Sequence, residues 1–135
     1  MIRYLIPATL IVAGLIHLLP LPGVLGSERL TTLYGLSFSE SNLAILMRHR
    51  AVLFGLLGVV LIVAAFRPML RTLAFLAGLA SVVSFLWIAA AVGNYNEQVT
   101  RIVMADVIAF VCLIIGFAVH LYSQNRFAAK RGPLL

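Results

Sequence analysis

The chain has 135 residues, 63% of them hydrophobic and 10% charged, with a mean hydropathy of +1.11. A soluble domain carries about 45–50% apolar and about 25% charged residues, so this composition excludes a core covered by polar surface. The net charge of +6 sits between apolar runs and at the C-terminus, the placement that orients membrane spans and not the footprint of a nucleic-acid binder.

The first apolar run follows Arg3 and covers 4–22, where Pro20, Pro22, Gly23 and Gly26 break it. Val24-Leu25-Gly26 before Ser27 is a tolerable signal-peptide cleavage pattern, but the run is long and carries His17, so it reads as a retained span. The connection over 26–47 is the only long one. Its stretch "GSERLTTLYGLSFSESN" mixes polar residues with Leu30, Leu33, Tyr34, Leu36 and Phe38. That composition suits either a passive surface segment or a cap folded over the mouth of a bundle.

Ser39 is the expected N-cap of a helical lead-in from about Glu40, because a serine hydroxyl satisfies an orphan amide at a helix start. The second span covers 48–66 and opens on Arg48, His49 and Arg50. Arg67-Pro68 stops it, since proline lacks a donor and restricts the residue before it. The third span covers 69–93 with Arg71 inside it, and the fourth covers 102–122. At 1.5 Å rise per residue each reaches across a hydrocarbon core of about 30 Å, given tilt or flanking turns. The single cysteine, Cys112, lies inside the fourth run as a packing residue. The expected organisation is an all-α polytopic membrane protein: a four-transmembrane-helix bundle over 1–125 and a basic tail over 126–135 suited to anionic headgroups.

Lysine and arginine set the orientation. Arg3, Arg67, Arg71, Arg126, Lys130 and Arg131 share one side, against Arg29, Arg48, Arg50 and Arg101 on the other. The excess favours both termini in the cytoplasm. Trp87, Tyr95 and Tyr122 lie near span ends, where amphipathic rings prefer the headgroup layer.

Stepping by three and four finds the packed face of each span. In the second span Ala51, Gly55, Gly58, Ile62 and Ala65 form a small-residue stripe, and three residues back from it stands Arg48. Small residues let membrane helices approach closely, so Arg48 is the expected inward arginine. Arg50 heads the bulky stripe Phe54, Leu57 and Leu61, which suits lipid, with its charge snorkelling to headgroups. In the fourth span Asp106, Ala109, Leu113, Gly116 and His120 share a face, and in the first His17 follows Pro7, Leu10 and Gly14. Counted from the cytoplasmic ends at 1.5 Å per residue, His17, Arg48 and Asp106 lie roughly 21 to 27 Å up, in one layer of the outer half. Trp87 and Ser84 belong to that layer. Glu97 and Arg101 are an i, i+4 pair at its edge.

A charge inside the bilayer usually pairs or lines a cavity. His17, Arg48, Asp106, Ser84 and Trp87 are therefore the candidate ligand-binding residues. Three readings follow: an Arg48–Asp106 link that only fixes packing, a pocket for a small molecule or lipid headgroup, or a proton-exchange site in which Asp106 and His17 serve a quinone. No H-x-x-x-H spacing supports a metal. No G-x-S-x-G, P-loop or H-E-x-x-H occurs, so an accessory or binding role is expected over an enzyme.

Four short spans, a long first connection containing "LYG" (Leu33 to Gly35) and "RHRAVLFGLLG" (Arg48 to Gly58) resemble the DoxX-like group of small bacterial membrane proteins. The resemblance covers most of the chain. It implies residence in the bacterial inner membrane and a quinone-related or accessory role, as a homo-oligomer or within a larger membrane complex. It transfers no catalytic residue.

Overall fold

The computed structural model describes residues 2–131, with side chains from Tyr4 to Arg126. Its helices are α1 (Ile2–Leu18), α2 (Ser27–Tyr34), α3 (Ser41–Phe66), α4 (Arg71–Val92) and α5 (Glu97–Arg131), with no strand among the described residues. Short 3-10 turns at Leu21–Leu25 and Pro68–Leu70 precede α2 and α4. The segments Tyr4–Leu25, Ser41–Phe66, Pro68–Val92 and Glu97–Arg126 are each long and apolar enough to cross a membrane. The architecture is thus the all-α, multi-pass bundle that the composition demands. The expected basic tail begins as a continuation of α5 through Arg131. Its side chains beyond Arg126, and residues 132–135, lie outside the described residues.

The helix ends follow from local chemistry. Arg67 takes an extended conformation (φ −118°, ψ 93°) ahead of Pro68, and α3 stops at Phe66. The carbonyls of its last turn are met by a side chain from the next helix: Arg71 donates to Ala64 O at 3.4 Å and to Ala65 O at 2.9 Å. At the other end of α3 the cap is Glu40 and not Ser39. The Glu40 carboxylate accepts from Asn42 N at 2.9 Å and Leu43 N at 2.6 Å. A carboxylate there meets the positive end of the helix dipole as well as two orphan amides, an advantage that a serine hydroxyl lacks.

The long helices form a ring. α1 packs on α3 and α5, and α4 packs on the same two, so α1 and α4 are diagonal, as are α3 and α5. Every neighbour pair is antiparallel by connectivity. Leu10, Leu61, Phe75 and Leu113, all fully buried, fill the centre. Glycine brings α1 and α3 together: a Cβ built on Gly58 would lie 2.8 Å from Gly14 O, and one on Gly14 would lie 2.9 Å from Gly58 O.

The first connection folds over one end of this ring, here termed the connection end. Leu30, Tyr34 and Phe38 are buried and pack with Met47 of α3 and Ile102 of α5. Leu30 and Tyr34 are four apart, on one face of α2. Gly35 ends α2 in the left-handed region (φ 65°), its N–H donating to Thr31 O, the usual role of glycine just past a helix. Asn96 then fastens the segment: its Nδ2 donates to Tyr34 O at 2.8 Å, while its Oδ1 accepts from Val99 N at 2.9 Å and so caps α5. Of the two expectations for this segment, the structure has the cover.

Candidate functional site

Beneath that cover lies a cavity of about 310 Å³. α1 and the turn after it supply Ile16, Leu19 and Pro20; α2 supplies Thr32, Leu33 and Tyr34; α3 supplies Arg50 and Phe54; and α5 supplies Gln98, Arg101, Ile102, Ala105 and Asp106. Leu19, Thr32 and Arg101 are exposed at its rim, so the cavity is open where α1, α2 and α5 come together. Its volume is at the small end of the range for ligand pockets, about 300–1,000 Å³.

Arg50 is the cationic group of this cavity. Its guanidinium carbon lies 4.9 Å from the ring centroid of Phe54, 5.6 Å from that of Phe85 and 5.8 Å from that of Tyr34. Each such contact contributes about 0.5–2 kcal/mol, more as water is excluded. The rings hold the charge without occupying its N–H donors, and Arg50 makes no hydrogen bond to protein. The Tyr34 phenol is pushed up by burial, and the Arg50 charge offsets part of that rise.

Asp106 is the anionic group. It is 5% exposed, borders the cavity, and makes no hydrogen bond or ion pair with the rest of the protein. Arg50 is the charge whose field reaches it, yet no ion pair within 4.0 Å joins them. The one ion pair among the described residues is Arg101 Nη2 to Glu97 Oε1 at 2.6 Å, an exposed i, i+4 pair at the rim. The Asp106 carboxylate oxygens are open to the cavity, so whatever fills that space supplies their hydrogen bonds.

His17 lies behind this wall. It is 1% exposed and stacks on Phe54 with ring centroids 5.6 Å apart. Its Nδ1 is 2.8 Å from Ala13 O; a carbonyl only accepts, so Nδ1 carries the hydrogen. The buried Nε2 has no partner. Phe54 therefore bridges His17 and Arg50, and only Arg50 reaches the cavity.

The structure divides the sequence-derived set. Asp106 is in the cavity wall and His17 one ring behind it. Arg48 is elsewhere: it is exposed, and its Nε donates to Val24 O at 2.9 Å, fastening the turn after α1 to α3. The expected Arg48–Asp106 packing pair is thus replaced by a cavity that Asp106 shares with Arg50. The reason is that α3 buries both of its stripes. Ala51, Gly55 and Gly58 are buried beside α1 and its following turn, while Leu61 of the bulky stripe is fully buried in the centre of the ring. At about 100° per residue, Arg50 falls on the Leu61 side of Ala51, while Arg48 falls about 60° to the other side of Ala51, past Gly55. Ser84 and Trp87 are exposed on α4 and border no part of the cavity; Ser84 Oγ donates to Ser81 O at 2.8 Å. His49 is exposed as well. Sequence reasoning missed Tyr34, Phe54 and Gln98. The available signal was Phe54, four residues after an arginine, where a ring face lies under the guanidinium.

No group of three or more His, Cys, Asp or Glu side chains is arranged to hold a metal ion among the described residues. The chain matches no protein-family model, no curated protein and no solved structure.

Proposed function

We propose that this protein is a DoxX-like accessory subunit of the bacterial inner membrane that binds a small amphiphile or lipid headgroup under the α2 cover. The observation that carries the reading is a cavity lined by two opposite charges, the half-buried Arg50 and the buried Asp106, neither hydrogen-bonded to protein. Keeping two unpaired charges in an apolar bundle is costly, and a chain under no such demand could have closed the gap with leucine. A bound molecule that satisfies them removes the cost. The lysine and arginine excess supports cytoplasmic termini, which puts the cavity in the outer half of the membrane. The test is mass spectrometry of the gently solubilised protein: a stoichiometric small molecule or lipid is expected with the wild type and absent from Arg50→Gln. Equal recovery from both proteins overturns the reading.

A second reading, a quinone-linked component, draws on His17. Its unpartnered Nε2, one ring behind the cavity wall, and the Asp106 carboxylate in that wall are two proton acceptors, the groups that would take up protons from a reduced quinone. In that case a quinone is the molecule recovered, and Asp106→Asn abolishes quinone-dependent turnover without preventing binding.

A further inference from the structure

The two charges of the cavity also specify the kind of molecule it takes. Opposite charges in a medium of low dielectric attract strongly and close to contact when nothing prevents it. Here the aromatic cradle of Tyr34, Phe54 and Phe85 holds the Arg50 guanidinium, and no ion pair with Asp106 forms. Arg101, which also pairs with Glu97, adds a second guanidinium at the open rim. A purely anionic ligand would satisfy the arginines and set its charge against the Asp106 carboxylate. A purely cationic one would do the reverse.

We infer that the cavity selects a zwitterion, its anionic group on Arg50 and Arg101 and its ammonium on Asp106. An ammonium bearing N–H bonds fits best, because the carboxylate offers only acceptors. A phosphate suits the arginines, whose forked donors match its oxygens. Phosphate joined to a primary amine occurs both in ethanolamine phospholipid headgroups and in free phosphoethanolamine. Exposed Leu19 at the rim offers an acyl chain an apolar path to the cavity. The inference rests on the proposal that this cavity is a ligand site.

The experiment uses the full chain in detergent, with lipid binding titrated by native mass spectrometry. Phosphatidylethanolamine and phosphatidylglycerol of identical acyl chains are compared, with free O-phosphoethanolamine as competitor. One charge-assisted contact to Asp106 corresponds to a preference of about tenfold or more for the ethanolamine lipid. Asp106→Asn, which keeps the shape of the side chain, is expected to erase that preference by weakening the ethanolamine lipid alone. Arg101→Gln, on the exposed rim, weakens both lipids alike, and it keeps the test open should the aspartate variant fail to fold. Displacement by O-phosphoethanolamine assigns the soluble zwitterion; its failure assigns the lipid. Equal binding of the two lipids by the wild type, or an unchanged ratio in Asp106→Asn, overturns the zwitterion. Absence of saturable binding by any of these probes overturns the ligand site beneath it.

Discussion

Asp106 and His120 lie on one face of α5, fourteen residues apart, and both are buried, at 5% and 4% exposure. Their surroundings differ in kind. His120 Nε2 is 3.0 Å from Thr72 Oγ1 and 2.9 Å from Gln124 Nε2, and its ring lies against Phe75. Asp106 has a cavity in front of it and no bonding partner. A satisfied polar group between α4 and α5 holds two helices in register. An unsatisfied one at the connection end is held by the stability of the remainder. The bundle thus has a half that packs and a half that presents.

The contrast can be broken most forcefully at the packed half. Gly58→Val sets a side chain against the backbone of α1, where a carbonyl oxygen has no room to retreat. A loss of about 3 kcal/mol is expected, read as a lower unfolding midpoint in detergent. The sharper experiment pairs the two polar residues. His120→Leu leaves Thr72 and Gln124 without their shared acceptor and is expected to cost about 1–3 kcal/mol. Asp106→Leu removes a charge that nothing in the protein satisfies, so the ligand-free protein is expected to be as stable as the wild type or about 1 kcal/mol more so. Equal losses in the two variants would erase the distinction between the halves.

Smaller effects belong to the cover. Asn96→Ala removes both the α5 cap and the bond to Tyr34 O, a loss of about 1 kcal/mol. Amide hydrogen exchange over 27–38 is expected to accelerate, while the core of α4 stays protected. The smallest effect is that of pH at Glu40. Its two amide bonds hold the carboxyl below the ordinary value of 4.5. A depressed folded value means that the contribution is fully present above the unfolded pKa and disappears as pH falls through the folded one. Below about pH 4.5 the first turn of α3 is therefore expected to fray, seen as faster exchange at Asn42 and Leu43 that Glu40→Gln reproduces at neutral pH.

How much of this was legible in the sequence varies with the physical signal. Apolar runs of about 20 residues and the Arg67-Pro68 break carry the four spans directly. The stripe from Asp106 to His120 is buried as its spacing predicts, because α5 turns a single face to its neighbours. α3 does not. It meets α1 with glycine and alanine and the ring centre with Leu57 and Leu61, and spacing alone cannot say which of two adjacent stripes faces lipid. The arginine assignment turned on that choice. The cover was one of two open readings for another reason: Leu30, Tyr34 and Phe38 find their partners, Met47 and Ile102, on two other helices, and no local pattern carries that information.

The Arg71 side chain has a consequence for how the membrane domain is assembled. It closes the last carbonyls of α3 from the first residue of α4, across a turn of a few residues. The end of α3 is not complete without α4. In hydrocarbon an open carbonyl costs several kcal/mol, so the smallest self-contained unit at that end is the α3–α4 hairpin. A cut or an inserted linker at Met69 separates two spans that were never independent modules.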